Sequence, residues 1–278
     1  MKQRISALRH VALDMDGTIY RGSTLFETTA PFLNLLRQLG IGYTFLTNNP
    51  SKSVSDYLDH LKQLGIQATP EQLYTSTQAT LEYLREERPQ IKKIFVLGTS
   101  SMCEEFRAAG FNIVADSPSA EPDAVIVGFD TTLTYARLCR AAWWINRGKP
   151  YVATNPDRVC PTDQPTVLVD CGSICACLQT ATGRSPEAVL GKPDPRMIRG
   201  ILHRHSLQAH QLAMIGDRLY TDMAMARRAG ALGVLVLTGE TTAAEASEWS
   251  PAPDCIVVEG LAEFGAQLKT DRAEIVST

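Results

Sequence analysis

The chain has 278 residues, of which 44% are hydrophobic and 21% are charged, which is enough apolar material for packed cores and argues against a disordered chain. Its formal net charge of -3 offers no basic stripe for a nucleic-acid backbone, and no apolar run is long enough to cross a membrane. We therefore expect neither a nucleic-acid nor a membrane partner. The odd number of cysteines, seven, argues against a complete set of disulfides, and no secretory signal pattern is visible, so we expect a cytoplasmic globular protein.

Short apolar strands alternate with helical patterns along the whole chain. Strands are predicted, in chain order, at residues 11–13, 43–46, 94–98, 123–128, 151–154, 188–190, 212–215 and 233–237. Helices follow most of them; Thr28 or Thr29 is predicted to cap one, and Ser51 to open another. Continuous Val/Ile/Leu strands that alternate with helices predict an α/β fold with a doubly wound parallel sheet covered on both faces.

The first polar cluster follows the first predicted strand. Asp14 and Asp16 stand two residues apart and are followed by Gly17, at the strand end where ligands bind in open α/β sheets. Two carboxylates in this arrangement can meet one metal ion and one substrate. The alternative is a turn in which the aspartates only satisfy backbone donors.

Two further clusters follow later strands. Thr47, Asn48 and Asn49 end the second strand, and their hydroxyl and amides, together with the first N–H groups of the next helix, can cradle an anion. Lys192 follows the strand at 188–190 and can neutralise a phosphate oxygen. Taken alone, residues 47–49 could be a helix-entry loop with Ser51 as its cap, and Lys192 is more typical of a surface lysine in a turn bracketed by prolines.

The fourth cluster contains Asp217 and Asp222, the first at a buried strand end and the second five residues later. Mg²⁺ takes oxygen ligands gathered from separate loops, so these acids are candidate metal ligands. Their alternative role is as partners of a helix dipole.

The order of these clusters along the chain resembles the haloacid dehalogenase-like superfamily of phosphohydrolases. The residues of these motifs are similar to those of the NagD-like and p-nitrophenyl-phosphatase-like branch, which includes pyridoxal phosphate and phosphoglycolate phosphatases. The matching motifs include residues 14–20, 47–49, 153–157, 191–193 and 216–218. The resemblance runs from about Val11 to Thr238 and implies a Rossmann-like core with an inserted α/β cap.

The resemblance also implies a role for each matching residue. Asp14 would attack phosphorus to give an aspartyl-phosphate, and Asp16 would protonate the leaving oxygen and then activate water. Thr47 and the neighbouring amides would bind the transferring phosphoryl group, and Lys192 would lie beside the nucleophile. Mg²⁺ would be held by four residues: Asp14, the backbone carbonyl of Asp16, Asp217 and, in support, Asp222.

The cap domain is expected between the second and third motifs. We predict a core of residues 1–75 and 183–278 and a substrate-specificity cap of residues 76–182. The loop after Asn155 would face the active site, where Asn155 and Cys160 join Asn48, Asn49 and Lys192 as substrate-binding candidates. Cys160 occupies the position at which the pyridoxal phosphatase branch carries a histidine, and this difference argues against pyridoxal phosphate as the substrate.

The sequence thus predicts a Mg²⁺-dependent phosphatase for small phosphate monoesters such as sugar phosphates or nucleotides. A phosphotransferase or mutase that uses the same aspartyl-phosphate is the alternative enzyme, and a phospho-acceptor regulatory module is the alternative outside enzymes. An exposed tryptophan in the Trp143–Trp144 pair would indicate a homodimer formed through the cap.

Overall fold

A computed structural model of the chain describes residues 2–160, 162, 164–249 and 255–276. The chain packs into two compact units. The first contains residues up to Leu46, His60–Tyr74 and the residues from Pro193 onward; the second contains Thr47–Asp59 and Thr75–Lys192. In the ranges that the structure describes, no helix combines the length and the apolar character that a membrane crossing needs.

Both units are built from alternating strands and helices. The described strands are β1 (His10–Asp14), β2 (Tyr20–Arg21), β3 (Thr24–Leu25), β4 (Gly42–Thr47), β5 (Leu73–Thr75), β6 (Lys93–Leu97), β7 (Asn112–Ile113), β8 (Ala124–Val127), β9 (Tyr151–Ala153), β10 (Val159–Cys160), β11 (Leu168–Val169), β12 (Ala188–Val189), β13 (Leu212–Gly216), β14 (Leu232–Val236) and β15 (Cys255–Val258). The described α-helices are α1 (Lys2–Ser6), α2 (Thr29–Gln38), α3 (Val54–Gln63), α4 (Ser76–Glu87), α5 (Ser100–Ala108), α6 (Tyr135–Asn146), α7 (Cys171–Thr182), α8 (Arg196–Arg204), α9 (Ala224–Ala229), α10 (Ala243–Glu248) and α11 (Leu261–Val276).

The first unit is organised by a six-stranded sheet in the order β15-β14-β13-β1-β4-β5. β1 pairs in parallel with both β13 and β4, and β14 pairs in parallel with β13 and β15. Every residue of β1, β13 and β14 is buried, as expected of parallel strands whose two faces are covered by helices. The carboxyl ends of these strands therefore lie along one edge of the sheet.

The second unit contains a five-stranded sheet in the order β12-β9-β8-β6-β7, again with parallel neighbours. Trp144 of α6 and Ile174 of α7 pack with Phe95 of β6, while Phe106 of α5 packs with Ile94 in a separate cluster. Helices thus cover both faces of this sheet. The prediction of an α/β fold with doubly wound parallel sheets is confirmed.

Of the two predicted helix starts, the first is confirmed and the second is wrong. Thr28 is the N-cap residue of α2, although its side chain makes no capping bond, and the Thr29 hydroxyl donates to the Ile19 carbonyl at 2.7 Å. The next helix begins at Val54 rather than at Ser51, because Ser53 and Asp56 form reciprocal bonds: Ser53 N–H donates to Asp56 Oδ2 at 2.8 Å and Asp56 N–H to Ser53 Oγ at 3.1 Å.

The second unit also differs in extent from the predicted cap of residues 76–182. It continues to Lys192 because β12 pairs in parallel with β9. It also takes in Thr47–Asp59. In the tryptophan pair, Trp144 is buried, whereas Trp143 is half-buried between the guanidinium groups of Arg140 and Arg147, so homodimer formation stays a prediction.

Candidate active site

The predicted acids of the first unit lie at the ends of two neighbouring strands. Asp14 is the last residue of β1, and Asp217 directly follows β13. Because Leu13 pairs with Ile215 in parallel, the residues that follow these two positions emerge at the same edge of the sheet. Asp14 is only 7% exposed and Asp217 only 2%, so both of these acidic residues are largely shielded from solvent.

Asp222 joins these two acids through an unusual turn. It lies in a π-helical segment, Leu219–Met223, and its Oδ2 accepts from the Arg218 N–H at 3.1 Å. One oxygen from each of Asp14, Asp217 and Asp222 lies within 4.8 Å of the others, and all three residues are buried. π-Helical turns of this kind are frequent at functional sites, and this one carries an acid back to the strand ends.

The cluster is electrostatically strained as it stands. Burial raises the pKa of Asp217 to about 7, and the nearby carboxylates of Asp14 and Asp222 add to the rise. Asp217 Oδ2 accepts from the Glu240 N–H at 2.7 Å, whereas its Oδ1 is buried and has no hydrogen-bond partner among the described residues. A divalent cation with oxygen ligands would relieve both conditions.

Glycines make room for these carboxylates. A Cβ atom on Gly239 would lie 1.9 Å from Asp217 Oδ2, and one on Gly17 would lie 2.5 Å from the same atom. Gly17 also has a φ of +82°, a backbone conformation that residues with a side chain rarely adopt. The donor set, the unpartnered oxygen and this cradle fit a divalent metal ion held by the three aspartates.

Asp16 has different surroundings. Asp16 is exposed, and its Oδ1 accepts a hydrogen bond from the Gly22 N–H at 3.4 Å. Its carboxylate is not part of the three-acid cluster. The prediction for the metal concerned its backbone carbonyl and stays a prediction, while an exposed carboxylate can exchange protons with a substrate or with water.

Asn48 connects several segments of the second unit. Its Nδ2 donates to Asp157 Oδ2 at 3.0 Å and to the Lys192 carbonyl at 3.0 Å, and its Oδ1 accepts from the Lys192 N–H. Its own carbonyl accepts from Ser76 Oγ at 2.6 Å. Gly191 is required beside it, because a Cβ there would lie 2.8 Å from Asn48 Oδ1 and φ is +76°. The buried Asn48 side chain therefore fixes the backbone of Lys192.

Asn49 shapes the loop after β4. Its Oδ1 accepts from Ser51 N–H at 2.9 Å and Ser51 Oγ at 2.6 Å, and its own N–H donates to Thr47 Oγ1 at 3.2 Å. Its Nδ2 reaches Cys160 Sγ, at the start of the β10–β11 hairpin, only at 3.9 Å. Two of the substrate-binding candidates, Asn49 and Cys160, are thus joined in the second unit by one long, weak contact.

Asn155 is placed differently from a substrate ligand. It is fully buried, its Nδ2 donates to Asp170 Oδ1 at 3.0 Å, and its Oδ1 accepts from Thr154 Oγ1 at 2.9 Å. Burial raises the pKa of Asp170, the N-cap of α7, to about 6. Both ends of its amide are thus bonded inside the unit, and its predicted contact with substrate stays a prediction.

Sequence reasoning overlooked three residues around Asp217. Arg218 Nε lies 2.8 Å from Glu240 Oε2, and Tyr220 OH donates to Glu240 Oε1 at 2.7 Å. Glu240 comes shortly after the end of β14, the next strand in the sheet. The strand-end rule that selected Asp14 and Asp217 would have selected Glu240 as well.

Comparison with known proteins places the chain in a family. A model for haloacid dehalogenase-like hydrolases matches residues 11–112, and a HAD-hydrolase-like model matches residues 189–264. The ribonucleotide monophosphatase NagD of Escherichia coli strain K12 is 32% identical over 232 residues, which cover 84% of this chain and 88% of that protein.

Solved structures agree with the sequence comparison. The 4-nitrophenylphosphatase of Thermotoga maritima superposes with a TM-score of 0.87 at 35% identity, covering 95% of this chain and 98% of that one. A glycerol phosphate phosphatase of Mycobacterium tuberculosis in complex with magnesium gives 0.87 at 31% identity, covering 97% and 80%. The chain belongs to the haloacid dehalogenase-like hydrolases. Within them it is a phosphatase of the NagD-like and p-nitrophenyl-phosphatase-like branch, which confirms the resemblance drawn from its motifs.

Proposed function

We propose that the protein hydrolyses small-molecule phosphate monoesters in a Mg²⁺-dependent reaction with Asp14 as the nucleophile. The observation that carries this proposal is the cluster of Asp14, Asp217 and Asp222 at the strand ends, in which one Asp217 oxygen has no hydrogen-bond partner within the described ranges. Phosphate monoester hydrolysis is among the slowest uncatalysed reactions, so a site for it needs concentrated charge stabilisation.

The chemistry assigned to the chain's own residues balances in two steps. An Asp14 carboxylate oxygen attacks phosphorus, the bond from phosphorus to the ester oxygen breaks, and Asp16 gives its proton to the leaving oxygen. Asp16 then takes a proton from a water molecule, whose oxygen attacks the phosphorus of the aspartyl-phosphate. The bond from phosphorus to the Asp14 oxygen breaks, which releases phosphate and restores the Asp14 carboxylate. The exposure of Asp16 supports this role, since an acid that exchanges protons with substrate and water has to be accessible.

The metal ion would be held by Asp14, Asp217 and Asp222, with the Asp16 carbonyl as an additional ligand. When bound, Mg²⁺ supplies positive charge to the phosphoryl oxygens. Magnesium in the related glycerol phosphate phosphatase supports this choice of ion. Lys192 and Thr47 are assigned to the phosphoryl group, and the bonds from Asn48 to the Lys192 backbone support a defined position for that lysine.

The test is phosphate release from p-nitrophenyl phosphate by the full-length protein, with Mg²⁺ or with a chelator. We expect Asp14→Asn to lose at least about a thousand-fold in rate, as removal of a nucleophile does elsewhere, and chelation to abolish turnover. Asp59→Asn, an exposed aspartate on α3, is the matched control and should retain full activity. Turnover that survives Asp14→Asn or the chelator would refute the mechanism.

Substrate class is tested in the same assay. Ribonucleoside monophosphates, glycerol phosphate and sugar phosphates are compared by kcat/KM, because relatives of this chain are named for each of the three. Free phosphate is expected as the product in each case. Transfer of phosphate to an added alcohol or sugar in place of its release would favour the phosphotransferase alternative.

A further inference from the structure

Glu240 lies outside the three-acid cluster but contacts it by two routes. Its backbone N–H donates to Asp217 Oδ2 at 2.7 Å. Its carboxylate lies 2.8 Å from Arg218 Nε and accepts from Tyr220 OH at 2.7 Å. A single residue therefore holds both a metal-ligand candidate and the cation next to it in sequence.

Arg218 is a cation next to the three aspartates. It follows Asp217 directly, its backbone N–H donates to Asp222 Oδ2 at 3.1 Å, and its side chain is only 20% exposed. A guanidinium group binds carboxylates readily in two-pronged geometry. Without another partner, Arg218 would be drawn onto the same oxygens that a divalent cation requires.

We propose that Glu240 is a positioning residue of the metal site: its carboxylate holds Arg218 away from the aspartates, so that Asp217 Oδ1 stays open for the cation. The hydrogen bond from the Glu240 backbone N–H to Asp217 Oδ2 holds the Asp217 carboxylate in place, and Oδ1 has no hydrogen-bond partner among the described residues. This inference rests on the metal site of the proposed function. It adds a residue that the sequence motifs did not mark.

The test is Mg²⁺ binding measured by isothermal titration calorimetry on the full-length protein, with no substrate present. Glu240→Gln keeps the backbone N–H but removes the charge that holds Arg218, and we expect about ten-fold weaker Mg²⁺ binding, the lower end of the usual effect of residues that orient metal ligands. Tyr220→Phe removes a hydrogen bond to the same carboxylate but leaves the ion pair intact, so it should bind Mg²⁺ nearly as the wild type does.

The double variant Arg218→Met/Glu240→Gln separates positioning from a general loss of structure. If Glu240 acts by restraining Arg218, removal of Arg218 restores Mg²⁺ affinity; thermal unfolding in chelator verifies that each variant is folded. Equal affinity of wild type and Glu240→Gln, or weak binding that the double variant does not restore, would overturn the inference alone. A folded wild-type protein that binds no Mg²⁺ would overturn the proposed metal site as well.

Discussion

His10 makes the stability of the first unit sensitive to acid. It begins β1, is 4% exposed, and its Nε2 lies 2.8 Å from Thr44 Oγ1. Its ring centroid is 4.3 Å from that of His205, and a Cβ on Gly42 would lie 2.6 Å from its Nδ1. Burial, helped by the neighbouring His205, lowers the pKa of His10 from 6.5 to about 3. The folded protein thus keeps this imidazole neutral in mild acid.

The sign of the effect follows from the difference in proton uptake. Below about pH 6.5 the unfolded chain protonates this histidine, whereas the folded chain does so only near pH 3, so the stabilisation present at neutral pH is lost as pH falls. One pKa unit corresponds to about 1.4 kcal/mol. From about pH 7 to about pH 5, His10 alone should lower the free energy of unfolding by about 2 kcal/mol.

The assay is urea unfolding, followed by circular dichroism at both pH values, of the wild type and of His10→Gln. Glutamine removes the titration and retains a polar group for Thr44. Other titrating groups cancel in the comparison, so the stability difference between the two proteins should change by about 2 kcal/mol between the two pH values. His203→Gln, at an exposed position of α8, is the control. A difference that stays constant with pH would refute the reasoning.

Two more substitutions test other buried groups. Gly239→Ala puts a methyl carbon 1.9 Å from Asp217 Oδ2 and should remove the rise in melting temperature that Mg²⁺ produces. Gly260→Ala is the control, because its nearest contact would be at 3.3 Å, and it should retain the rise. Equal behaviour of the two variants would count against the role of Gly239 in making room for the Asp217 carboxylate. Because burial raises the pKa of Asp170 from 3.8 to about 6, Asp170 alone should lower the free energy of unfolding by roughly 3 kcal/mol as pH rises through that interval. The stability difference between the wild type and Asp170→Asn should change by this amount, and a difference that is constant with pH would contradict the assignment.

The strands of the fold could be predicted because each is a short, continuously buried apolar run. β1 and β13 were found within a residue or two, and both end at the acids that matter. Helix starts were less predictable, since Ser51 and Ser53 are equivalent in type and only the reciprocal bond with Asp56 selects Ser53. The end of the second unit depends on the two-residue strand β12, whose pairing with β9 is a long-range choice.

For the site, strand-end position selected Asp14 and Asp217 correctly as neighbours. The approach of Asp222 depends on a π-helical turn, which no pattern in the sequence specifies. His205 lies against His10, a residue almost two hundred positions earlier in the chain, and no local pattern indicates this contact. Contacts of this kind are set by the packing of the sheet and not by local spacing.

Residue type at a strand end does not distinguish a ligand from a structural group, and the hydrogen bonds do. Asn155 and Asp217 are both buried polar residues after parallel strands, and both were predicted to bind something. The Nδ2 and Oδ1 atoms of Asn155 each have a partner, Asp170 and Thr154 respectively, whereas Asp217 keeps one buried oxygen without a partner in the described part of the chain. Since a buried polar atom without a partner costs free energy, the Asp217 oxygen that lacks a partner among the described residues supports the proposal that Asp217, rather than Asn155, binds a further group.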